Sequence, residues 1–262
     1  MPTPRREQVL SDLRRRIRDL EAGQRRHRGG GLPFGLDGLD EALPEGGLEP
    51  GALHEVVAGG RDLAHEAAAM LFAAGIAARL AGPVLWALRA PDLFAPGLAG
   101  AGLHPDRVIF AEVGAGTGCD RAVLLAMEEG LRHGGLAGVV GEVSRLPLTA
   151  SRRLQLAAEA SGTMALALRH GCMMDGRIEP PDRIEPNAAS SRWRIAALPS
   201  APLPVPGLGR ARWRVELVRC RGGVPGSWEL EACDAQGRLA VPADMADRPA
   251  AAQPRRRSTL AA

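Results

Sequence analysis

A glycine-rich turn set between a short apolar run and a long alanine-rich helix constrains this chain more than any other feature. The stretch from Gly35 to Arg61 reads GLDGLDEALPEGGLEPGALHEVVAGGR. Leu36, Leu39, Ala42 and Leu43 have helical spacing, and Pro44 with Gly46-Gly47 stops that helix. A turn at Pro50-Gly51 leads into Ala52, Leu53, Val56 and Val57, an apolar run interrupted by His54-Glu55. The run ends in Ala58-Gly59-Gly60-Arg61, and a helix begins just beyond. Strand, glycine-rich turn, helix is the arrangement in which α/β proteins cradle a phosphate.

The chemistry of phosphate binding is nevertheless missing from this turn. A P-loop needs G-x-x-x-x-G-K-[ST], in which backbone N–H groups hold the phosphates, Lys reaches the β/γ-phosphates and the hydroxyl holds Mg²⁺. Here Arg61 and Asp62 follow the last glycine. All 33 basic residues are Arg, so no lysine exists to fill the role. Arg61 is the one substitute cation, but Asp62 is its neighbour and no hydroxyl stands beside it for Mg²⁺. The residues favour a tight strand-to-helix connection that binds no nucleotide. Gly59, Gly60, Arg61 and Asp62 are therefore read as a degenerate phosphate loop. No catalytic residue, cofactor or metal ligand is assigned.

The run of motifs resembles the opening segment and core of RecA-type recombinases. It resembles more closely the ImuA family, also labelled SulA-like or damage-inducible mutagenesis proteins. The matching pieces are LPFGLDGLDEALPEGGLEPGALHEV (32–56), GPVLWAL (82–88), LAGVVGEVSRLPLTASRRLQLAAEASG (136–162), SRWRIAALPSAP (191–202) and GLGRARWRVELVRCRGGVPGSWELEA (207–232). Together they cover most of the chain. The resemblance implies an α/β, RecA-like core with a largely parallel sheet flanked by helices. It also implies a place beside an inactive Y-family polymerase homologue, ImuB, and an error-prone C-family polymerase.

Charge divides the chain into a core and two basic ends. Residues 1–28 hold nine Arg against four acids, whereas 29–243 hold 20 Arg against 24 acids. The core is thus not a basic body built for DNA. The expected organisation is an N-terminal helix and basic linker over 1–31, a RecA-like core over 32–243 and a disordered basic tail over 244–262. The four cysteines are widely spaced, with neither a disulfide framework nor a zinc spacing. The charged N-terminus does not read as a signal peptide and no apolar run reaches membrane-spanning length, so a cytoplasmic protein is expected.

Residues 7–21 form an amphipathic helix with Val9, Leu13, Ile17 and Leu20 on one face. In RecA-type proteins the N-terminal helix packs on a neighbouring protomer, so the resemblance suggests a docking helix; folding back on its own domain is the other reading. Residues 64–80 are apolar nearly all round and should be buried against the sheet. Val84–Leu88 is a buried strand; the family pattern places a catalytic carboxylate after it, yet here Arg89 stands there and Asp92, past Pro91, reads as a turn or helix cap. A short helix over 93–103 and a strand over 108–111 follow.

Asp120 is expected to cap a helix over 121–133, with Ala122, Leu124, Leu125, Met127 and Leu131 inward. Glu142, at the end of a strand over 138–143, occupies a Walker-B-like position and reads as a remnant or a structural polar residue. A helix over 150–160 should be capped by Thr149 or Ser151. Arg152 and Arg153 sit in its first turn, where a cation opposes the helix dipole, which points to an anion, an acid partner or a buried ion pair.

After the strand over 164–168, Arg169-His170 stand where RecA-type ATPases carry a γ-phosphate-sensing Gln. Residues 171–190 show neither helix nor strand period. By resemblance this is where recombinases carry a DNA-binding loop, but its four acids against two arginines have the wrong sign for phosphate. Arg192–Ile195 and Arg212–Val218 alternate in period two, and a last strand pairs beyond Arg221. Arg192, Arg194, Arg212, Arg214, Arg219 and Arg221, with Trp193 and Trp213, form a candidate partner-binding face; a solvated sheet face over buried Trp is the equal alternative.

Three parts of a RecA-type ATPase site are altered together, so the expected protein is a non-enzymatic scaffold. The resemblance implies an accessory factor of damage-induced, error-prone translesion synthesis. Its implied partners are the ImuB-type polymerase homologue, RecA and the C-family polymerase, with DNA bound only weakly or indirectly. Candidate docking residues are Leu13, Ile17, Leu20, Arg152, Arg153, Arg192, Arg194, Arg212, Arg214 and Arg221. A divergent ATPase using Arg61, or a DNA-binding modulator of RecA filaments, are the alternatives.

Overall fold

The computed structural model describes residues 30–60, 62–114, 116, 118–170, 172–174, 177–179, 186–200 and 209–242. The expected N-terminal helix, with Leu13, Ile17 and Leu20, the basic tail and Arg61 lie outside the described residues.

An eight-stranded sheet organises the fold. Its strands in chain order are β1 (Leu53–Ala58), β2 (Val84–Leu88), β3 (Val108–Glu112), β4 (Gly138–Val143), β5 (Met164–Arg169), β8 (Ser191–Leu198), β9 (Arg212–Cys220) and β10 (Gly226–Glu231). They lie side by side as β10-β9-β8-β1-β5-β4-β2-β3. From β8 across to β3 every pairing is parallel, whereas β9 runs antiparallel to β8 and β10 antiparallel to β9. The largely parallel sheet that the resemblance implied is present. Its central strands β1, β4 and β5 are buried along their whole length, as parallel strands covered on both faces must be.

Each face carries its own apolar core. On one, Val56 and Ala58 of β1 join Trp86, Val140, Leu166, Leu168 and Trp193 beneath helix α2 (Leu63–Ala78), which contributes Ala69, Phe72, Ala73 and Ile76. This is the helix expected to be buried. On the other face Leu53, Val139, Ala165 and Ala167 meet helices α4 (Cys119–His133) and α5 (Leu148–Ser161) through Val123, Met127, Leu131 and Leu154. Full burial of side chains this size contributes roughly 1.5–3 kcal/mol each.

The segment before β1 clamps the first face. Helix α1 is only Asp37–Asp40, shorter than the spacing suggested. The Asp40 carboxylate accepts the N–H groups of Phe34 and Gly35 at 2.7 Å each and that of Leu36 at 3.1 Å. Gly35, at φ +79, provides the left-handed bend that lets these donors converge. Phe34 is thereby held against Phe72 and Trp193, with ring centroids 5.8 and 5.4 Å away. The Arg79 guanidinium lies 4.7 Å above the Phe34 ring and donates to the Pro33 carbonyl.

Several local expectations differ from the structure. Helix α3 is Ala95–Gly100, with Phe94 at its N-cap, so Asp92 caps nothing there. Asp120 does not cap α4; Gly118 holds that position, and the Asp120 carboxylate accepts instead from the backbone of Ser144 and Arg145 at 2.9 Å. A carboxylate one helical turn from a strand end can satisfy that strand's orphan donors just as well as its own helix's. Leu125 faces outward, 43% exposed. Pro147, not Thr149 or Ser151, precedes α5; Ser151 is buried and accepts the Ala188 N–H at 3.0 Å. The 171–190 stretch contains an antiparallel hairpin, β6 (Cys172–Met174) with β7 (Arg177–Glu179), where no strand period is visible. Three and three residues are too few for a period to show.

Candidate functional site

The carboxyl ends of the parallel strands, where open α/β sheets bind ligands, bring together β1's turn and the ends of β2, β4 and β5. The turn is short. Only four residues separate Ala58, the last of β1, from Leu63, the first of α2. The Gly59 N–H donates to the Ile195 carbonyl at 2.7 Å, so the strand neighbour takes a donor that a phosphate loop would aim at its ligand. A Cβ at Gly59 would fall 2.7 Å from the Cβ of Ala196, and one at Gly60 would fall 1.6 Å from Cδ2 of His65. These glycines serve close packing. His65 fills the hollow of the turn, its Nδ1 accepting the Ala197 N–H at 3.0 Å. Asp62 caps α2 by accepting the His65 N–H at 3.0 Å. The partial positive charge at the helix start thus already meets a carboxylate, and an incoming phosphate would meet the same charge in its place.

Beside the turn lies a cleft of about 470 Å³, whose walls include Leu63, Glu66, Met70, Arg89, Asp92 and Glu142. Arg89 is tied down at the position of the missing carboxylate. It donates through Nη1 to Ser144 Oγ at 2.6 Å and through Nε to Cys119 Sγ at 3.3 Å. Glu142 accepts from Trp86 Nε1 at 2.8 Å, while its other oxygen stands 3.7 Å from His170 Nε2, beyond hydrogen-bond length. Burial pushes the Glu142 carboxyl above its ordinary range, and nearby Asp92 adds to this; His170, the Trp86 bond and Arg89 oppose it. Among the described residues, no group of three or more His, Cys, Asp or Glu side chains is placed to hold a metal ion.

A buried charge network fixes the next layer. Glu55, 0% exposed in the centre of β1, accepts from Arg192 Nε at 2.5 Å, Asn187 Nδ2 at 2.8 Å and Arg169 Nη1 at 3.2 Å. Arg169 also donates to the Ser144 carbonyl, and Arg219 reaches Asn187 Oδ1 at 3.1 Å and the Ala189 carbonyl at 2.7 Å. So the residue standing in the place of the nucleotide sensor is a structural cation. On the same strand His54 is buried and neutral. Its Nε2–H donates to the Glu49 carbonyl at 2.9 Å, and its Nδ1 accepts from Ser191 Oγ at 2.7 Å, which itself accepts from Trp193 Nε1. Burial is the main cause holding this imidazole below its ordinary pKa.

The arginines expected to form a partner-binding face are divided by the structure. Arg192 is inside, 5% exposed, and so cannot contribute to a surface; its strand is flanked by β1 and β9 where the alternating pattern suggested an open face. Arg194 pairs with Glu216 at 2.7 Å, and Arg212 and Arg214 share Glu229 at 3.3 and 3.1 Å. Register sets these pairs: Arg194 lies opposite Glu216 on β9, and Arg214 opposite Glu229 on β10. Arg221 is exposed. Arg152 is exposed on α5, while Arg153 reaches across to the buried Glu128 of α4, which also binds Arg132 at 2.6 Å. Of the three explanations offered for the Arg152–Arg153 pair, Arg153 thus has the acid partner.

No protein-family model matches the chain. The crystal structure of the RadB recombinase superposes with a TM-score of 0.53 at 18% identity, over 80% of this chain and 99% of that one. The fold is therefore RecA-like. Protein ImuA of Caulobacter vibrioides, from strains NA1000 and CB 15, is 43% identical over 210 residues, covering 78% of this chain and 84% of that protein. The chain belongs to the ImuA family.

In this ImuA-family chain the residues that close the turn, His65 above all, carry no sequence signal as such; a histidine one turn into an apolar helix reads as any surface residue. Glu55 did carry one. A carboxylate in the middle of an apolar strand run demands a buried cation or donor, although the run itself does not say which. No helix among the described residues is long and apolar enough to cross a membrane.

Proposed function

We propose that this ImuA-family protein is a non-catalytic RecA-like accessory factor of damage-induced, error-prone translesion DNA synthesis. It works by docking on the ImuB-type Y-family polymerase homologue, with RecA and the error-prone C-family polymerase as further partners. Family membership and the RecA-like fold support the place in damage-induced mutagenesis. The observation that carries the scaffold reading is the closed turn after β1. His65 occupies the hollow, Asp62 occupies the helix terminus, and the Gly59 N–H is bonded to β8. Arg89 in place of a carboxylate and Arg169 locked on Glu55 point the same way. A fold that keeps its sheet and fills its ligand site is suited to binding other proteins.

Calorimetric titration of ATP with Mg²⁺ into the full-length protein tests the scaffold reading. No saturable heat is expected. Saturable binding would overturn it in favour of a divergent ATPase or a nucleotide-controlled switch. Co-purification with the polymerase homologue, with and without residues 1–31 and 244–262, tests the docking reading; failure of the intact chain to retain that partner would overturn it.

A further inference from the structure

Outside the turn, an apolar groove lies between α4 and α5. Two adjoining hollows of about 480 and 470 Å³ share Glu128 and Arg153 and run along the seam of the two helices. Leu124 and Leu125 line one and Leu156 the other, and Leu125 and Leu156 are 43% and 65% exposed. Leu148, 39% exposed, begins α5 nearby. Between the hollows Glu128 lies against the seam, clasped by Arg132 from its own helix and Arg153 from α5. Through Arg153 this clasp ties α5 to α4 between the two hollows.

The charge lining the groove is mainly basic, although Arg132 also meets the exposed Glu129 of its own helix at 3.6 Å. The groove walls include Arg121, Arg132, Arg145 and Arg153, against Asp120 and Glu128 only. Both of these acids are already engaged, Asp120 by the backbone N–H groups of Ser144 and Arg145 and Glu128 by its two arginines. Arg152 adds a further exposed cation on α5. What this surface offers is an apolar floor with a basic rim. The terminal segments of this chain are a poor match, since residues 1–28 carry nine Arg against four acids and 244–262 carry four Arg against two. A second copy would present the same basic rim to itself.

We propose that the α4/α5 groove receives an acidic amphipathic helix of a partner protein, its apolar residues seated on Leu124, Leu125 and Leu156 and its carboxylates facing Arg121, Arg145 and Arg152. Helix-in-groove recognition reads apolar anchors at i, i+3/i+4 and i+7. The 15 residues of α4 provide a seam about 22 Å long, enough for roughly four turns of a bound helix. The anchors supply the affinity, and the rim arginines supply orientation and association rate. This assignment gives a surface to the docking role proposed above and rests on it.

The probe is a fluorescent designed helical peptide with Leu at i, i+3/i+4 and i+7 and Glu at most other positions, titrated against the full chain by anisotropy. A matching peptide with Lys in place of Glu is the control. The Glu peptide should bind saturably, more weakly as salt rises, and the Lys peptide should not. Leu125→Asp and Leu156→Asp should each weaken binding at least about tenfold, and Arg121→Glu with Arg145→Glu about tenfold together. Because Leu125 and Leu156 are exposed, their variants should keep the wild-type circular dichroism and melting behaviour. Absence of binding, equal binding of the Lys peptide, or undiminished binding by the leucine variants would overturn the proposal. So would a dimer that dissociates on Leu125→Asp, which would make a second copy the occupant. Binding seen only after Asp175, Asp182 and Glu185 are neutralised would make the chain's own acidic segment the occupant and overturn it equally. Retention of the polymerase homologue by variants that have lost the peptide would remove the groove from that docking and leave the docking role intact. Peptide binding without any retention of the homologue by the wild-type chain would overturn the docking role and, with it, this assignment.

Discussion

The His65 ring lies so close to Gly60 that a Cβ added there would fall 1.6 Å from its Cδ2 and 2.4 Å from its Nε2. The same ring accepts the Ala197 N–H, so it joins the turn after β1 to β8. A phosphate loop keeps that space for its ligand; here a side chain has it.

Gly60→Ala should cost about 1–3 kcal/mol, because the ring must leave and the Ala197 N–H loses its acceptor. In a His65→Ala background most of that penalty should vanish. Urea unfolding of the four proteins of this double-mutant cycle measures the coupling.

Asp62 serves α2 as a cap, not as a ligand. Asp62→Ser keeps an oxygen acceptor for the His65 N–H and should leave stability within about 0.5 kcal/mol, whereas Asp62→Ala should cost about 1 kcal/mol. Removing the charge should still not create ATP binding, since His65 remains in place; calorimetry on Asp62→Ser checks this.

Replacing Glu55 by Gln should be among the most damaging single changes in the chain. It leaves Arg169 and Arg192, with side chains 8% and 6% exposed, without the carboxylate that both bind. A loss of about 3–5 kcal/mol is expected from such an uncompensated burial. A loss below about 1 kcal/mol in urea unfolding would show that the network is held by hydrogen bonds alone.

Glu142 and His54 set opposite pH dependences. The Glu142 carboxyl is raised by burial, so the folded state favours its protonated form, and its contribution falls as pH rises from the ordinary carboxylate range through the raised value. Glu142→Gln, which retains an acceptor for Trp86 Nε1, should remove that slope and equal or exceed the wild-type stability at pH 8. Unfolding midpoints of both proteins at pH 5 and pH 8 decide it.

His54 is held below its ordinary value of 6.5 mainly by burial. The folded state favours the neutral ring, so the stability tied to it is complete above about pH 6.5 and is lost as pH falls below that. The His54 contribution should therefore shrink as pH falls below about 6.5, so His54→Gln should be less stable than wild type at pH 8 and the gap between the two proteins should narrow at acid pH. Thermal melts across the range provide the measurement.

Most of the scaffold was legible because it rests on local patterns. The apolar runs at 52–57, 84–88, 138–143 and 164–168 became β1, β2, β4 and β5, and the helix over 64–80 became the buried α2. What misled was local chemistry with two possible uses. Asp120 has the residue type of a cap, yet it satisfies donors at Ser144 and Arg145, just past the carboxyl end of β4. Leu125 fits the inward spacing of α4, yet it borders the groove.

The sequence by itself determined that no lysine could serve a phosphate loop, that a glycine-rich turn joins the first core strand to a long apolar helix, and that buried strands alternate with helices. Those facts depend only on residue identity and spacing. Only the tertiary structure decided that His65 closes the turn, that Arg192 is internal, and that Glu55 is met by residues 114 and 137 positions away. Period-two patterning tells which face of a strand a residue occupies. It does not tell which strands lie alongside, and in a sheet ordered β8-β1-β5 that neighbour relation alone brings Arg192 and Arg169 to the same carboxylate.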